Sequence, residues 1–156
     1  MSHSVLDYFL KESFNNKDIV DVDKEVCKKC FEDKKKCLEA LRRGEKGKAI
    51  LIGDEKVGSI WKEKNEFGHI EISGFYVHQE FRNKGYGSIL LKNMDDAQVL
   101  YTEANNKIAQ RTYEKNGWVK SDLIGRFDKD KKKEWYLYYN PKRINASELK
   151  PYKKLG

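Results

Sequence analysis

At 156 residues the chain is long enough for a single domain with a sizeable core, and it has no run of 18 apolar residues to cross a bilayer as a helix. Its net charge of +7, from 32 basic and 25 acidic side chains, suits a polyanionic ligand. A coding bias toward Lys, Asn, Ile and Tyr accounts for that charge equally well. The first residues lack the basic-then-apolar pattern of a secretory signal, which points to the cytoplasm.

Residues 4–14 carry apolar side chains at Val5, Leu6, Phe9, Leu10 and Phe14 and read as a helix that Asn15 and Asn16 break. Residues 19–22 form a short strand or a linker. Residues 23–43 read as one helix, capped by Asp21 or Asp23 and ended by Gly44. All three cysteines, Cys27, Cys30 and Cys37, fall there. Cys27-x-x-Cys30 invites a zinc or redox reading, but a structural zinc needs four ligands and a third cysteine does not complete the set. Small buried hydrophobes explain these cysteines better, with Val26, Cys30, Cys37 and Leu41 on one face and Phe31 and Leu38 beside them. The Lys34-Lys35-Lys36 run reads as a solvated helix face.

From Lys48 the pattern changes to strands. Residues 49–52, 57–63 and 69–77, joined by polar turns at 54–56 and 65–68, predict an antiparallel meander. Arg82-Asn83-Lys84-Gly85-Tyr86-Gly87 follows, opening a helix that begins near Gly87 and runs through Ile89, Leu90, Leu91 and Met94. Then come a strand at 99–103, a helix at 106–116, and strands at 118–124 and 134–140 joined by a charged turn at 128–133. The basic tail, 141–156, has no clear pattern and is either ordered against the domain or frayed. The layout is α/β with a mixed sheet.

A glycine-rich turn at the start of a helix presents backbone N–H groups at the positive end of the helix dipole, and glycines let a phosphate approach closely. Gly-x-Gly-x-x-Gly fails here for want of a third glycine, and no Gly-Lys-Ser/Thr is present. The remaining pattern, Arg-x-x-Gly-x-Gly, resembles the coenzyme A loop of the GNAT superfamily of N-acetyltransferases. A second segment, Asn106-Lys107-Ile108-Ala109-Gln110-Arg111-Thr112-Tyr113-Glu114-Lys115-Asn116-Gly117-Trp118, is similar to that family's Asn-x-x-Ala-x-x-x-Tyr-x-x-x-Gly-Phe, with Trp in the Phe position. Ala109 and Tyr113 lie one helical turn apart on one face, and Gly117 suits the helix end. The resemblance covers residues 69–118. It implies a GNAT-like mixed, mostly antiparallel central sheet flanked by helices, within a single acetyltransferase domain spanning 1–156.

The resemblance also implies acetyl-CoA as cosubstrate, no metal, and a primary amine as acceptor that attacks the thioester directly. Cofactor-binding residues are then Arg82, Asn83, Lys84, Gly85, Tyr86, Gly87 and Ser88, with backbone donors near Phe75, Tyr76 and Val77 for the thioester carbonyl. Asn106 would fix the pantetheine amides or the adjoining strand, and Ala109 is a further cofactor-binding residue. Glu71, thirteen residues before Lys84, has the offset of the catalytic glutamate in histone-acetylating members, and is the candidate base. Strand alternation groups it with Ser73, Phe75 and Val77. His69 and His78 are weaker candidates. Tyr113 matches the family tyrosine beside the coenzyme sulfur and is the candidate acid.

The acceptor, a small molecule or a protein lysine or N-terminus, has no readable code, and neither has homodimerisation. Two other classes remain as alternatives: a noncatalytic acyl-CoA binding module, and a nucleic-acid binder using the basic aromatic stretch around Lys131, Trp135, Tyr136, Tyr138 and Arg143. The strand-like alternation of 135–139 and the lack of a nucleic-acid motif weigh against the second.

Overall fold

The computed structural model describes residues 19–125 and 133–150. The helix expected at 4–14, most of the 128–133 turn and the end of the tail lie outside the described residues. In chain order the elements are β1 (Ile19–Asp21), α1 (Lys24–Cys30), α2 (Lys34–Arg42), β2 (Lys46–Ile52), β3 (Glu55–Lys64), β4 (Ile70–Val77), a 3-10 turn (Gln79–Phe81), α3 (Tyr86–Lys92), β5 (Val99–Glu103), α4 (Lys107–Lys115), β6 (Val119–Gly125) and β7 (Trp135–Tyr139). They make a seven-stranded sheet, ordered β1-β2-β3-β4-β5-β7-β6 and flanked by helices. β4 and β5 pair in parallel, while β1–β2, β5–β7 and β6–β7 are antiparallel. The last strand therefore inserts between β5 and β6, an order that element spacing alone does not specify. None of the described helices is long and apolar enough to cross a membrane.

The chain divides into two compact units, Met1–Trp61 with Gly74–Leu90, and Lys62–Ser73 with Leu91–Gly156. In the first, the single helix expected at 23–43 is two. Asp23 accepts from the Val26 N–H at 2.9 Å and Asp33 accepts from the Lys36 N–H at 3.0 Å, so each starts its own helix. Between them Phe31 has extended backbone (φ −94°, ψ 134°). That exit buries its ring, edge-on to Trp61 at 6.1 Å and beneath the Lys56 ammonium at 4.1 Å.

The break also corrects the reading of the cysteines. Cys27 and Cys37 are buried among Val22, Phe31, Ala40, Ala49 and Trp61, as small hydrophobes would be, but they are also joined as a disulfide with Cα atoms 5.6 Å apart. A continuous helix would hold residues ten apart at roughly 15 Å, so the bond needs the turn at Phe31. Cys30 is the free, half-buried thiol.

In the second unit Val99, Leu137 and Ile144 form a core with Tyr101, Leu123, Tyr139 and Leu149 packed around it. Ile144 and Leu149 come from the tail, whose described part thus packs against the unit. Arg143 Nε donates to the Asp95 carbonyl at 2.7 Å, and Gln98 Nε2 donates to the Arg143 carbonyl at 3.1 Å. The aromatic stretch proposed for nucleic acid is largely committed to this unit. Tyr138 is fully buried, Trp135, Tyr136 and Tyr139 are half-buried, and the Lys120 ammonium sits 4.1 Å above the Tyr136 ring.

Candidate active site

In the first unit, β4 ends at Val77, and the His78 N–H donates to the Val57 carbonyl at 2.9 Å. The 3-10 turn then delivers the chain to Arg82, whose Nε returns to the Val77 carbonyl at 2.9 Å. Its guanidinium lies 5.3 Å from the Tyr76 ring centroid. Asn83 (φ 64°) and Gly85 (φ 86°) both take left-handed backbone, which Gly adopts freely and Asn more readily than most residues. They coil the loop so that Tyr86 is buried edge-on to Phe81 at 6.2 Å, while Asn83, Lys84 and Gly85 stay exposed. A Cβ built on Gly85 would meet nothing within 4 Å. The Ile89 N–H bonds the Gly85 carbonyl at 3.2 Å, so the N–H groups from Gly85 to Ser88 precede the intrahelical ladder of α3. An exposed coil with open space over a glycine and a basic neighbour fits a polyphosphate.

Gly58, which no motif singles out, lies against the same strand end. A Cβ there would stand 2.7 Å from the Tyr76 carbonyl oxygen and 3.2 Å from the Val77 Cα. Only glycine allows that approach of backbone to backbone.

In the second unit, Asn106 caps α4, its Oδ1 accepting from the Ala109 N–H at 3.1 Å. Asn116 and Gly117 (φ 86°) end the helix, and the Trp118 N–H returns to the Tyr113 carbonyl at 3.0 Å. Tyr113 is buried, with its ring 5.7 Å from that of Tyr138. Burial pushes its phenol up to about 12. The Tyr138 hydroxyl donates to Glu114 Oε2 at 2.6 Å; burial first, then this bond to a carboxylate, raises its pKa as well. Glu71 is half-buried and accepts from Asn65 Nδ2 at 3.1 Å. Burial does not alternate along β4: Ile72 is buried, whereas Tyr76, with the same parity, is 49% exposed.

Residues 45–120 match the family model for the acetyltransferase (GNAT) domain. This region is a GNAT acetyltransferase domain. No curated protein matches the chain in sequence. Solved structures share the fold. A GNAT-family acetyltransferase from Bacillus cereus aligns with a TM-score of 0.63 at 17% identity, covering 78% of this chain and 94% of that one. One from Elizabethkingia anophelis with acetyl-CoA bound gives 0.58 at 17% identity, over 78% and 97%. A candidate streptothricin acetyltransferase from Bacillus anthracis, in complex with acetyl coenzyme A, gives 0.50 at 24% identity. That alignment spans 61% of each chain, under two thirds of the neighbour's length. At these identities the likeness is one of fold.

Within the GNAT domain, the sequence-predicted site residues divide between the two units. Phe75, Tyr76 and Val77 and the loop from Arg82 to Ser88 lie in the first, where Arg82 ties loop to strand. Glu71, Asn106, Ala109 and Tyr113 lie in the second, the last three on one helix and its cap. Among the described residues no group of His, Cys, Asp or Glu is arranged to hold a metal ion. Sequence reasoning missed Gly58 and Asn65, whose roles depend on contacts with other strands and turns and leave no local signal.

Proposed function

We propose that the protein is an acetyl-CoA-dependent N-acetyltransferase that acts on a primary amine. The observation that carries this reading is the Arg82–Ser88 loop, coiled by two left-handed residues and fastened to the end of β4. Backbone N–H groups of this loop would hold the pyrophosphate, with Lys84 adding charge. Backbone donors near Phe75–Val77 would face the thioester carbonyl. Asn106, whose Oδ1 is engaged in capping, would use its amide N–H groups toward the pantetheine arm.

Acetyl-CoA supplies the activated acetyl group and a thiolate leaving group. As the amine nitrogen forms its bond to the acetyl carbon and the carbon–sulfur bond breaks, the nitrogen's proton passes to Glu71, directly or through water. Tyr113 would donate a hydrogen bond to the departing sulfur. With its phenol pushed up to about 12 by burial, above the ordinary range of a thiol, complete proton transfer to the departing sulfur would be uphill. Hydrogen-bond donation is therefore the better description of its part than full acid catalysis.

Calorimetric titration with acetyl-CoA, with Gly87→Glu as control, tests the reading. Saturable binding that the variant loses supports it, because a carboxylate would meet the pyrophosphate. Acetylation of a panel of primary amines then separates the enzyme from a noncatalytic acyl-CoA binding module. Binding without turnover on any amine favours the module, and absence of binding overturns both.

A further inference from the structure

The carboxylate read above as the base is held by a side chain outside both sequence motifs. Asn65 closes the turn between β3 and β4 with four bonds to backbone. Its N–H donates to the His69 carbonyl at 2.8 Å and its carbonyl accepts from the Gly68 N–H at 3.0 Å. Its Oδ1 accepts from the Phe67 N–H at 2.9 Å and the His69 N–H at 3.0 Å. Two backbone donors on Oδ1 fix which end of the amide is oxygen. The other end is Nδ2, which can only donate, and it donates to Glu71 Oε1 at 3.1 Å.

The turn itself needs only the acceptor, which Asp or Ser would supply equally well. The donor is the part that an amide adds, and it is aimed at Glu71. The strand start is secured on its other side too. The Ile70 N–H donates to Gln98 Oε1, and the Gln98 N–H donates to the Ile70 carbonyl, both at 2.8 Å. This sets Glu71 opposite Val99 on β5.

We infer that Asn65 is the positioning residue for Glu71. A hydrogen bond donated to a carboxylate favours its charged form, and a donor held by four backbone bonds restricts the rotamer of the group it meets. Asn65 thus keeps Glu71 ionised and in place to receive the proton of the attacking amine. The inference rests on the reading of Glu71 as the base. Other titratable groups on the adjoining elements include Lys62, Glu63 and Lys64 on β3, Glu66 and His69 in the turn, Asp96 ahead of β5, and Tyr101 and Glu103 on β5. Lys62 and Asp96 pair with each other at 2.7 Å. All are common to the protein and its variants, so a difference between them isolates Asn65.

Asn65→Asp is the informative variant, since it preserves an acceptor for the turn and sets a carboxylate oxygen where the donor was. The titration midpoint of Glu71, followed by carbon-detected NMR on the cofactor-free protein, should rise by about one unit or more. The acidic limb of kcat/KM should move to higher pH by the same amount, with the alkaline plateau kept within about twofold. Asn65→Ser, uncharged, should give a smaller rise in the same direction. An unmoved Glu71 midpoint in both variants, with the fold intact by circular dichroism, overturns the inference. Glu71→Gln distinguishes that failure from failure of the underlying reading. If the acidic limb persists in Glu71→Gln, then Glu71 is not the base, and the positioning role falls with it.

Discussion

Arg82 Nε donates to the Val77 carbonyl at 2.9 Å, so the side chain that opens the glycine loop is fastened to the last residue of β4. Its guanidinium also lies 5.3 Å from the Tyr76 ring. On the proposed reading Arg82 would act on the ligand mainly through the shape of the loop, while exposed Lys84 would contribute as a point charge. Arg82→Lys keeps the charge and loses the planar fork, and should weaken acetyl-CoA binding about tenfold with an unchanged salt dependence. Lys84→Ala should cost only about threefold and flatten the salt dependence, because an exposed charge is screened. Calorimetry at two ionic strengths reads both. A reversed order would assign the charge, rather than the geometry, to Arg82.

Gly58 and Gly85 are both glycines of the first unit, and they should fail differently. A Cβ on Gly58 would stand 2.7 Å from the Tyr76 carbonyl oxygen, and a backbone atom in a sheet cannot step aside cheaply. Gly58→Ala should cost about 1–3 kcal/mol of stability. It should also lower kcat/KM at least tenfold, since Tyr76 and Val77 are among the proposed carbonyl-polarising donors. Gly85 has open space and a φ of 86°, so Gly85→Ala should cost about 1 kcal/mol through backbone strain alone. Thermal melts and steady-state kinetics on the two variants check this contrast. A Gly58→Ala protein with normal melting and normal kinetics would refute the close-approach argument.

Local signals were legible in the sequence where one segment carries its own chemistry. Gly117 ends α4 as the backbone freedom of glycine predicts, because capping is settled within a few residues. Asn106, read in the sequence for the pantetheine arm or the adjoining strand, also caps the helix start. The glycine loop is likewise local. The break at Phe31 was not legible, since 23–43 contains neither Gly nor Pro and each half is a competent helix. What ends α1 is the burial of the Phe31 ring against Trp61, thirty residues further on. The pairing of Cys27 with Cys37 follows from that break and was hidden with it. The donor from Asn65 to Glu71 depends on a turn geometry that residue types in a polar stretch do not spell out.

The disulfide gives a prediction of its own. Joining residues ten apart removes loop entropy from the unfolded chain, worth about 2–3 kcal/mol, and both sulfurs sit in the core of the first unit. Cys37→Ala should lower the urea midpoint accordingly, and reducing the wild-type protein should reproduce most of that loss. Alkylation followed by mass spectrometry should find one adduct, on Cys30, in the native protein and three after reduction and unfolding. The Cys30 adduct should form slowly, since burial and then the Asp54 carboxylate raise its pKa. Three adducts without a reductant would show the bond to be open under those conditions.

Tyr113, the proposed hydrogen-bond donor to sulfur, also makes stability depend on high pH. Its phenol titrates near 10 in an unfolded chain and is pushed up to about 12 by burial in the fold. Below pH 10 both states keep the proton and stability does not depend on it. Between about 10 and 12 the unfolded chain releases the proton while the fold retains it, so stability falls as pH rises. The slope is about 1.4 kcal/mol per pH unit, or about 3 kcal/mol across the window. Tyr138 shifts in the same direction, so the native protein should lose stability steeply above pH 10. Urea unfolding at pH 8, 10 and 11 should show Tyr113→Phe losing less than wild type over that interval. At pH 8 the same variant should have a kcat lowered by about tenfold or more, with acetyl-CoA affinity little changed, because the hydrogen bond to sulfur strengthens only as charge develops there. An unchanged kcat would leave Tyr113 as a core residue and remove it from the chemistry.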